Sequence, residues 1–276
     1  MAKKPKSIMF KTTKQSKGEE TKKFVLILVF CVVAVLAVSI IFIAGNGKGD
    51  SEEEITQVEE QVKIEAEKTY LFWCADKNEL RFAWLVNVEM PEKRAVVCAL
   101  DINRKLGGGY DDSIRQVFAS KGVKELVEGM EAEFEMKIDG YIGSEEESFK
   151  SVINSLGGVE ITVPEQISYR SGDFALILVK GKQNMKGDTL FKYIRYLCTL
   201  DEEGRDLQAD AMSEMLAYVF RASNLNKCDS IFSRISNTLE TNLTIVDYSA
   251  AKQGIETLVE EGFASIRTVE KPEKVK

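Results

Sequence analysis

The residue types available for chemistry are restricted in this 276-residue chain, because it contains no histidine. Histidine is the usual proton shuttle near neutral pH and the commonest metal ligand in proteins. The five cysteines are scattered, with no C-x-x-C pair and no metal-ligand spacing. Any chemistry must therefore use carboxylates, arginines, lysines, tyrosines or single thiols. Free buried thiols are favoured for Cys74, Cys98, Cys198 and Cys228, and a disulfide is the open alternative.

Three consecutive glycines, Gly107–Gly109, could in principle cradle a phosphate group. A Walker-type loop requires a lysine and a serine or threonine at the start of a helix directly after the glycines. No such pattern follows here. Because glycine clusters mostly mark turns, we interpret these three residues as a flexible loop.

Charge divides the chain into two unequal parts. The net charge is −7, yet residues 1–44 hold eight lysines and two glutamates, so the remainder carries −13. Nucleic-acid binding needs basic surfaces, and the acidic main body therefore argues against nucleic acid as a partner. A hydrophobic content of 44% and a charged content of 29% predict a folded domain.

An uncharged apolar segment near the N-terminus predicts a membrane anchor. Phe24–Ala44 is a run of 21 residues without charge or proline. A bilayer core needs roughly 20 such residues in a helix, whereas the apolar core of a cleaved signal peptide has about 7–15. The preceding lysines place residues 1–23 in the cytoplasm and the rest of the chain outside the cell. The glutamate-rich residues 45–69 are expected to form a helical stalk.

Strand-like and helix-like segments alternate in the remaining chain. Apolar runs at Tyr70–Ala75, Leu80–Val88 and Ala95–Ile102 predict a β-meander of buried strands. Further strands are predicted at Phe134–Ile142, Val159–Val163 and Leu176–Val179, and helices at Asp111–Gly129, Ser144–Leu156, Thr189–Tyr196, Asp206–Ser223, Cys228–Leu239 and Ala250–Glu261. This alternation predicts a single α/β domain over residues 70–265, with helices on both faces of a central sheet. Residues 266–276 are expected to form a polar tail.

Several short motifs occur in an order that suggests a known family. Leu156–Pro164 reads LGGVEITVP, and Gly181–Gln183 and Tyr193–Tyr196 follow it. Together with the strand Tyr70–Asp76 and the segment Thr241–Thr244, this block resembles the extracellular domain of the LytR-CpsA-Psr (LCP) family of bacterial cell-envelope proteins. The resemblance covers nearly all of the chain after the predicted stalk.

The resemblance implies a phosphotransferase that moves a glycopolymer from a polyprenyl-pyrophosphate carrier onto the cell wall. Its implied cofactor, where catalysis occurs, is Mg²⁺, and its implied partners are the lipid-linked glycan, the bacterial cell membrane and peptidoglycan. The chemistry requires arginines, which hold phosphate with a planar fork, and aspartates, which hold Mg²⁺ through oxygen.

Matched to the family's motifs, several of these charged residues are replaced. The aspartate of the family's second strand corresponds to Arg81. The proline-arginine-aspartate motif corresponds to Asp101-Ile102-Asn103, so that an amide stands at the metal-binding position. The arginine-x-arginine motif corresponds to Arg195-Tyr196-Leu197. The late aspartate-x-x-arginine-x-x-arginine-glutamine motif corresponds to Glu202 through Ala209, with Arg205 kept and the second arginine replaced by glutamine.

The resemblance therefore leaves Arg195 and Arg205 as the candidate catalytic and phosphate-binding residues. Arg81, Asp101, Asn103 and Glu202 are further candidate ligand-binding residues, and Asp76 and Asp101 are weak candidates for a metal. Without the resemblance, the two arginines are better explained as surface ion pairs, and with it the two interpretations carry equal weight. Asp101, Asn103 and Glu202 are then better explained as turn or surface residues.

Two functions remain in competition after this comparison. The preferred one is a membrane-anchored protein of cell-envelope assembly that binds a polyprenyl-pyrophosphate-linked glycopolymer with degenerate catalytic motifs, because metal affinity depends on the number of charged ligands. The alternative is an active phosphotransferase that attaches the glycopolymer to peptidoglycan. A transcriptional regulator is disfavoured, because only residues 1–23 are predicted to lie in the cytoplasm.

Overall fold

The computed structural model describes residues 67–89, 92–155, 157–219, 239–244, 265–269 and 271–272. The predicted anchor 24–44, most of the stalk, and the predicted helices at 228–239 and 250–261 lie outside these ranges, apart from Leu239. Within the described residues, no helix has both the length and the apolar character needed to cross a bilayer.

A six-stranded sheet forms the centre of the domain. Its strands are β1 (Glu67–Asp76), β2 (Glu79–Glu89), β3 (Arg94–Ala99), β6 (Gly140–Glu145), β11 (Glu240–Thr241) and β12 (Ser265–Val269). Their order in the sheet is β11-β6-β1-β2-β3-β12. Strands β1, β2 and β3 are antiparallel neighbours, which confirms the predicted meander. Strand β6 pairs parallel with β1, and β12 pairs parallel with β3.

Three two-stranded ribbons extend from this sheet. In chain order their strands are β4 (Lys105–Gly107) with β5 (Tyr110–Ser113), β7 (Val159–Val163) with β10 (Gly181–Met185), and β8 (Ile167–Arg170) with β9 (Ala175–Leu178). The glycine cluster at 107–109 forms the turn of the first ribbon, and all three of its residues have positive φ, as the loop interpretation predicts.

Helices cover both faces of the sheet, as the sequence predicts for an α/β domain. Alternation along β1 sends Leu71 and Trp73 to one face and Tyr70 and Phe72 to the other. The first face packs against α1 (Ile114–Lys121) and α2 (Val123–Phe134). The second face packs against α3 (Glu146–Ser155), α4 (Gly187–Leu197) and α5 (Glu202–Val219). Burial on both faces explains why the strands are apolar without interruption.

The first two motifs of the family resemblance fold together as one β-ribbon. Strand β7, from the first motif, pairs antiparallel with β10, which begins at Gly181. Gly157 and Gly158 join α3 to β7 with φ values of 78° and 95°. A Cβ at Gly158 would lie 2.0 Å from Oδ1 of Asn184 on β10. Both glycines are therefore favoured by backbone conformation, and Gly158 is also required by the close approach of β10.

Two helical boundaries differ from the prediction for physical reasons. The predicted helix Asp111–Gly129 is divided at Gly122, whose φ is 84°. Its first part begins only after Ser113, whose side chain accepts from the Gln116 amide nitrogen in a capping box. The predicted strand at Phe134–Ile142 begins instead at Gly140, because the helix α2 continues to Phe134.

The sheet also extends beyond the predicted domain limits. β1 begins at Glu67, and β12 continues to Val269 inside the segment predicted as a polar tail. Ile266 and Val269 of β12 pack on opposite faces of the sheet, which gives this short strand apolar contacts in spite of its polar composition. At the other edge, Asn242 Oδ1 accepts from the Tyr141 amide nitrogen at 2.9 Å.

The described cysteines are free thiols. Cys74 and Cys98 are buried in the core, and Cys198 is partly exposed. Burial raises the pKa of the Cys74 thiol to about 12. Cys228 lies outside the described residues.

Candidate functional site

A cavity of about 660 Å³ lies at the end of the sheet where β1 and β3 finish. The β1–β2 hairpin, the loop after β3, the start of α1, the β8–β9 turn and the connection between α4 and α5 form its wall. Four arginines line it: Arg81, Arg115, Arg195 and Arg205. We call this cavity the arginine pocket.

Arg81 is held by the hairpin on which it lies. Its Nη2 donates to Asp76 Oδ2 at 2.8 Å, and its Nη1 lies 2.7 Å from Glu79 Oε1. The side chain is only 16% exposed. The hydrogen bond from Arg81 lowers the pKa of Asp76 below its usual value, with the nearby charges of Arg81, Lys77 and Arg195 acting in the same direction. The Arg81 guanidinium is therefore held in place by two carboxylates where it lines the pocket.

Arg195 lies in the last turn of α4, where the helix dipole favours a cation. Its Nη2 donates to Asp173 Oδ2 at 2.9 Å, and its guanidinium lies 4.8 Å from the ring centre of Phe174. Both partners belong to the β8–β9 turn. This turn was not predicted to contribute to the site, and only its second strand was predicted. The stacked and paired Arg195 is thus pre-oriented toward the pocket.

Arg205 and Arg115 complete the set from two different helices. Arg205 follows the first turn of α5, and its Nη2 lies 3.8 Å from Glu202 Oε1. Arg115 is the second residue of α1, and its amide nitrogen donates to the carbonyl of Ile102 at 2.9 Å. Arg115 was not identified from the sequence. It follows a helix start that the capping pair Ser113 and Gln116 could have revealed, but no local pattern shows which loop packs against it.

The acidic and amide candidates divide into two groups. Asp101 and Asn103 line the arginine pocket. Asp101 Oδ1 accepts from the Asn103 amide nitrogen at 3.0 Å, as expected of a turn. Asp76 and Glu202 are not part of its wall, although each pairs with an arginine that is. Five of the seven candidate residues predicted from the sequence therefore line the arginine pocket, and the other two, Asp76 and Glu202, lie beside it.

Positions where the resemblance expects arginines are occupied by core side chains. Leu197 is fully buried, and Gln208 is only 2% exposed. Gln208 Oε1 accepts from the Cys198 thiol, at a sulfur–oxygen distance of 3.3 Å. Burial raises the pKa of Cys198 to about 12, although Arg115 and Arg195 act to lower it. The thiol is therefore neutral near pH 7 and is not an activated nucleophile.

A second cavity, of about 540 Å³, lies between α5, β7 and β12. The described residues that line it include Asp210 and Glu214 and no lysine or arginine. Burial raises the pKa of Asp210, with Asp206 adding to the effect and a hydrogen bond with Thr268 opposing it. A site with two carboxylates and no described cation does not favour an anionic ligand, so the arginine pocket is the better candidate for phosphate.

Comparison with known proteins gives one family by sequence and a shared fold by structure. A family model described as the LytR_cpsA_psr family matches residues 96–274. The transferase TagV of Bacillus subtilis, named as a polyisoprenyl-teichoic acid–peptidoglycan teichoic acid transferase, is 27% identical over 183 residues. This match covers 61% of the chain and 46% of TagV, so the chain spans about half the length of the curated relatives it matches.

Two solved structures show the likeness of fold. The crystal structure of B. subtilis TagV has a TM-score of 0.60 at 22% identity, covering 75% of this chain and 85% of that one. The LytR-CPS2A-psr family protein YwtF (TagT) with bound octaprenyl pyrophosphate lipid has a TM-score of 0.52 at 19% identity, covering 74% and 77%. At these identities the likeness establishes the fold and leaves the roles of individual residues open.

Proposed function

Since this chain belongs to the LytR-CpsA-Psr family, we propose that its arginine pocket binds the pyrophosphate group of a polyprenyl-linked cell-envelope glycopolymer. The observation that carries the proposal is the convergence of four guanidinium groups on one cavity of about 660 Å³. Guanidinium forks match phosphate oxygens in geometry and in charge. The bound octaprenyl pyrophosphate of TagT and the teichoic acid named for TagV support this class of ligand.

The two arginines that keep their place in the family motifs provide the first test. We expect Arg195→Ala and Arg205→Ala each to weaken binding of farnesyl pyrophosphate about tenfold or more, because a charge-assisted hydrogen bond contributes roughly 1.5–3 kcal/mol. Isothermal titration calorimetry of the domain would measure the loss. Lys182→Ala is the matched control, because Lys182 pairs with Glu160 at 2.9 Å and does not line the pocket. Equal affinity in all three variants, or no binding by the wild type, would reject the proposal.

An active phosphotransferase is the second candidate. Asp101 and Asp201 line the arginine pocket without an ion pair to another described residue, although Asp101 accepts a hydrogen bond from the Asn103 amide nitrogen. A carboxylate that is not neutralised by a cation can act as a general base toward an acceptor hydroxyl. In the phosphotransfer, the acceptor hydroxyl would give its proton to the carboxylate and form a phosphodiester bond to the glycan-bearing phosphorus, while the anhydride bond breaks and polyprenyl monophosphate leaves. Incubation with a lipid-linked glycopolymer and peptidoglycan should then release the monophosphate in the wild type and much less of it in Asp101→Asn. Binding without release would favour the first candidate.

The location of the site depends on the anchor predicted from Phe24–Ala44. We expect a single membrane span that holds the domain outside the cell, close to a lipid carrier in the outer leaflet. Protease added to intact protoplasts should digest the domain, while a cytoplasmic marker protein stays protected. Complete protection of the domain would contradict this topology and with it the access to an external glycopolymer.

A further inference from the structure

Arg115 differs from the other arginines of the pocket because its charge has no partner among the described residues. Arg81 faces Asp76 and Glu79, Arg195 faces Asp173, and Arg205 has Glu202 nearby. The Nε of Arg115 is enclosed and makes no hydrogen bond within the described part of the chain, and the same holds for the Nε of Arg81, whose Nη1 and Nη2 are paired. An enclosed guanidinium nitrogen without a partner is costly, and an anion in the pocket would supply Arg115 with the partner that its whole side chain lacks.

The backbone holds Arg115 beside the loop that follows β3. The amide nitrogen of Arg115 donates to the Ile102 carbonyl, and that of Ile114 donates to the Arg104 carbonyl at 3.1 Å. The start of α1 is therefore fixed to the loop that carries Asp101 and Asn103. Asn103 occupies the position at which the family resemblance expects a metal-binding aspartate. The guanidinium of Arg115 thus enters the pocket next to a ligand position that has lost its charge.

The donor groups around the pocket do not fit Mg²⁺, the cation that the resemblance implies. Mg²⁺ selects carboxylate oxygens in near-octahedral geometry. Glu79 and Asp173 are already paired with arginines, at 2.7 and 2.9 Å, and Asp101 caps its own turn. Asp201 is then the one carboxylate of the described lining without a side-chain partner, and a single carboxylate is a poor Mg²⁺ site. No group of three or more potential metal ligands occurs among the described residues. The four guanidinium charges of the lining balance its four carboxylates, so no net negative charge attracts a divalent cation.

We propose that the arginine pocket binds a pyrophosphate group without Mg²⁺, with the guanidinium of Arg115 providing the positive charge that a metal would supply. This inference rests on the proposed function, since it concerns the same ligand in the same pocket. Arginine stays protonated at every physiological pH and offers several donors in a fixed plane, so it can neutralise phosphate oxygens and orient them together.

The inference is tested by calorimetric titration of the full-length wild-type protein with farnesyl pyrophosphate, first in EDTA and then in excess Mg²⁺. We expect the protein to bind in EDTA with an affinity that Mg²⁺ does not increase. Arg115→Gln should weaken binding about tenfold, and Arg115→Lys should recover only part of the loss because lysine lacks the fork. Arg104→Gln is the control, because Arg104 pairs with Glu133 at 2.7 Å outside the pocket and should bind like the wild type.

Each outcome separates this inference from the proposed function. If the wild type binds only when Mg²⁺ is present, metal-independent recognition is wrong while the proposed ligand stands. If Arg115→Gln binds as tightly as the wild type, Arg115 has no part in recognition. If the wild type fails to bind in both buffers, the proposed function itself fails. The comparison between EDTA and Mg²⁺ uses the unmodified protein. It therefore decides whether binding requires a metal even if the Arg115 variants do not fold.

Discussion

Replacing Asp173 by asparagine should strengthen anion binding in the arginine pocket. Asp173 lines the pocket, and its carboxylate accepts a hydrogen bond from Arg195 at 2.9 Å. An incoming pyrophosphate must compete with this carboxylate for the guanidinium and is also repelled by its charge. The substitution removes both effects and keeps the size of the side chain. A gain of affinity cannot be explained by damage to the fold, which makes this variant more informative than the loss of an arginine.

The size of the expected gain in affinity depends on how exposed the ion pair between Asp173 and Arg195 is. The Asp173 side chain is 66% exposed, so its ion pair contributes only about 0.2–1 kcal/mol. Repulsion between the carboxylate and one phosphate charge several ångströms away adds about 0.5–1 kcal/mol in a water-like dielectric. Together they amount to about 0.7–2 kcal/mol and predict binding about three- to thirtyfold tighter, since about 1.4 kcal/mol corresponds to a factor of ten. The gain should shrink as salt screens both interactions.

Calorimetry with farnesyl pyrophosphate at low and at physiological ionic strength would measure this gain. Glu160→Gln is the matched control, because it also removes one carboxylate from an exposed pair, here with Lys182 at 2.9 Å, and it lies outside the arginine pocket. If Asp173→Asn binds no better than the wild type, Asp173 does not compete for the guanidinium. If both variants gain equally, the effect is one of net charge and the local argument is refuted.

Two further predictions concern stability. Gly143→Ala should destabilise the domain by about 2–3 kcal/mol in urea titration, because the new Cβ would lie 1.8 Å from an atom of the Trp73 indole. Gly172→Ala meets nothing within 4 Å and should fall within about 0.5 kcal/mol of the wild type; equal losses would contradict the steric argument. Asp76 has a folded-state pKa below its unfolded value because Arg81 donates to it, so its contribution to stability is present above the unfolded pKa and is lost as pH falls through the folded pKa. Asp76→Asn should therefore make the free energy of unfolding less dependent on acid pH, and parallel curves for the two proteins would disprove this coupling.

The fold could be predicted from the sequence where local pattern determined it. The uninterrupted apolar runs at 70–75, 80–88 and 95–102 gave three buried strands in the correct order, and helical spacing gave helices on both faces. The segment 265–269 was missed because its strand is stabilised by pairing with β3, a contact distant in sequence. Local composition carries no information about such a partner.

The site was predicted only as far as motif positions allowed. Arg195, Arg205, Asp101 and Asn103 could be located together because each corresponds to a motif of the family, and the structure places all four on one cavity wall. Arg115 corresponds to none of the motifs compared, and its place depends on how α1 packs against a loop. The wall formed by the β8–β9 turn was missed for the same reason, since packing between distant segments is absent from a single sequence.

The parallel pairing of β12 with β3 has a consequence for how the domain is made. Ser265 pairs with Arg94 in this ladder. The β3 edge of the meander therefore gains β12 as its neighbouring strand only after the intervening helices and ribbons have been synthesised. Until then β3 is an open edge, with unpaired amide and carbonyl groups that can recruit another chain. Contacts of such high sequence separation slow folding, which lengthens the exposure. A chain exported across a membrane in an unfolded state would thus be most prone to aggregation just before its last strand arrives, and a truncation that removes residues 265–269 would make that vulnerable state permanent.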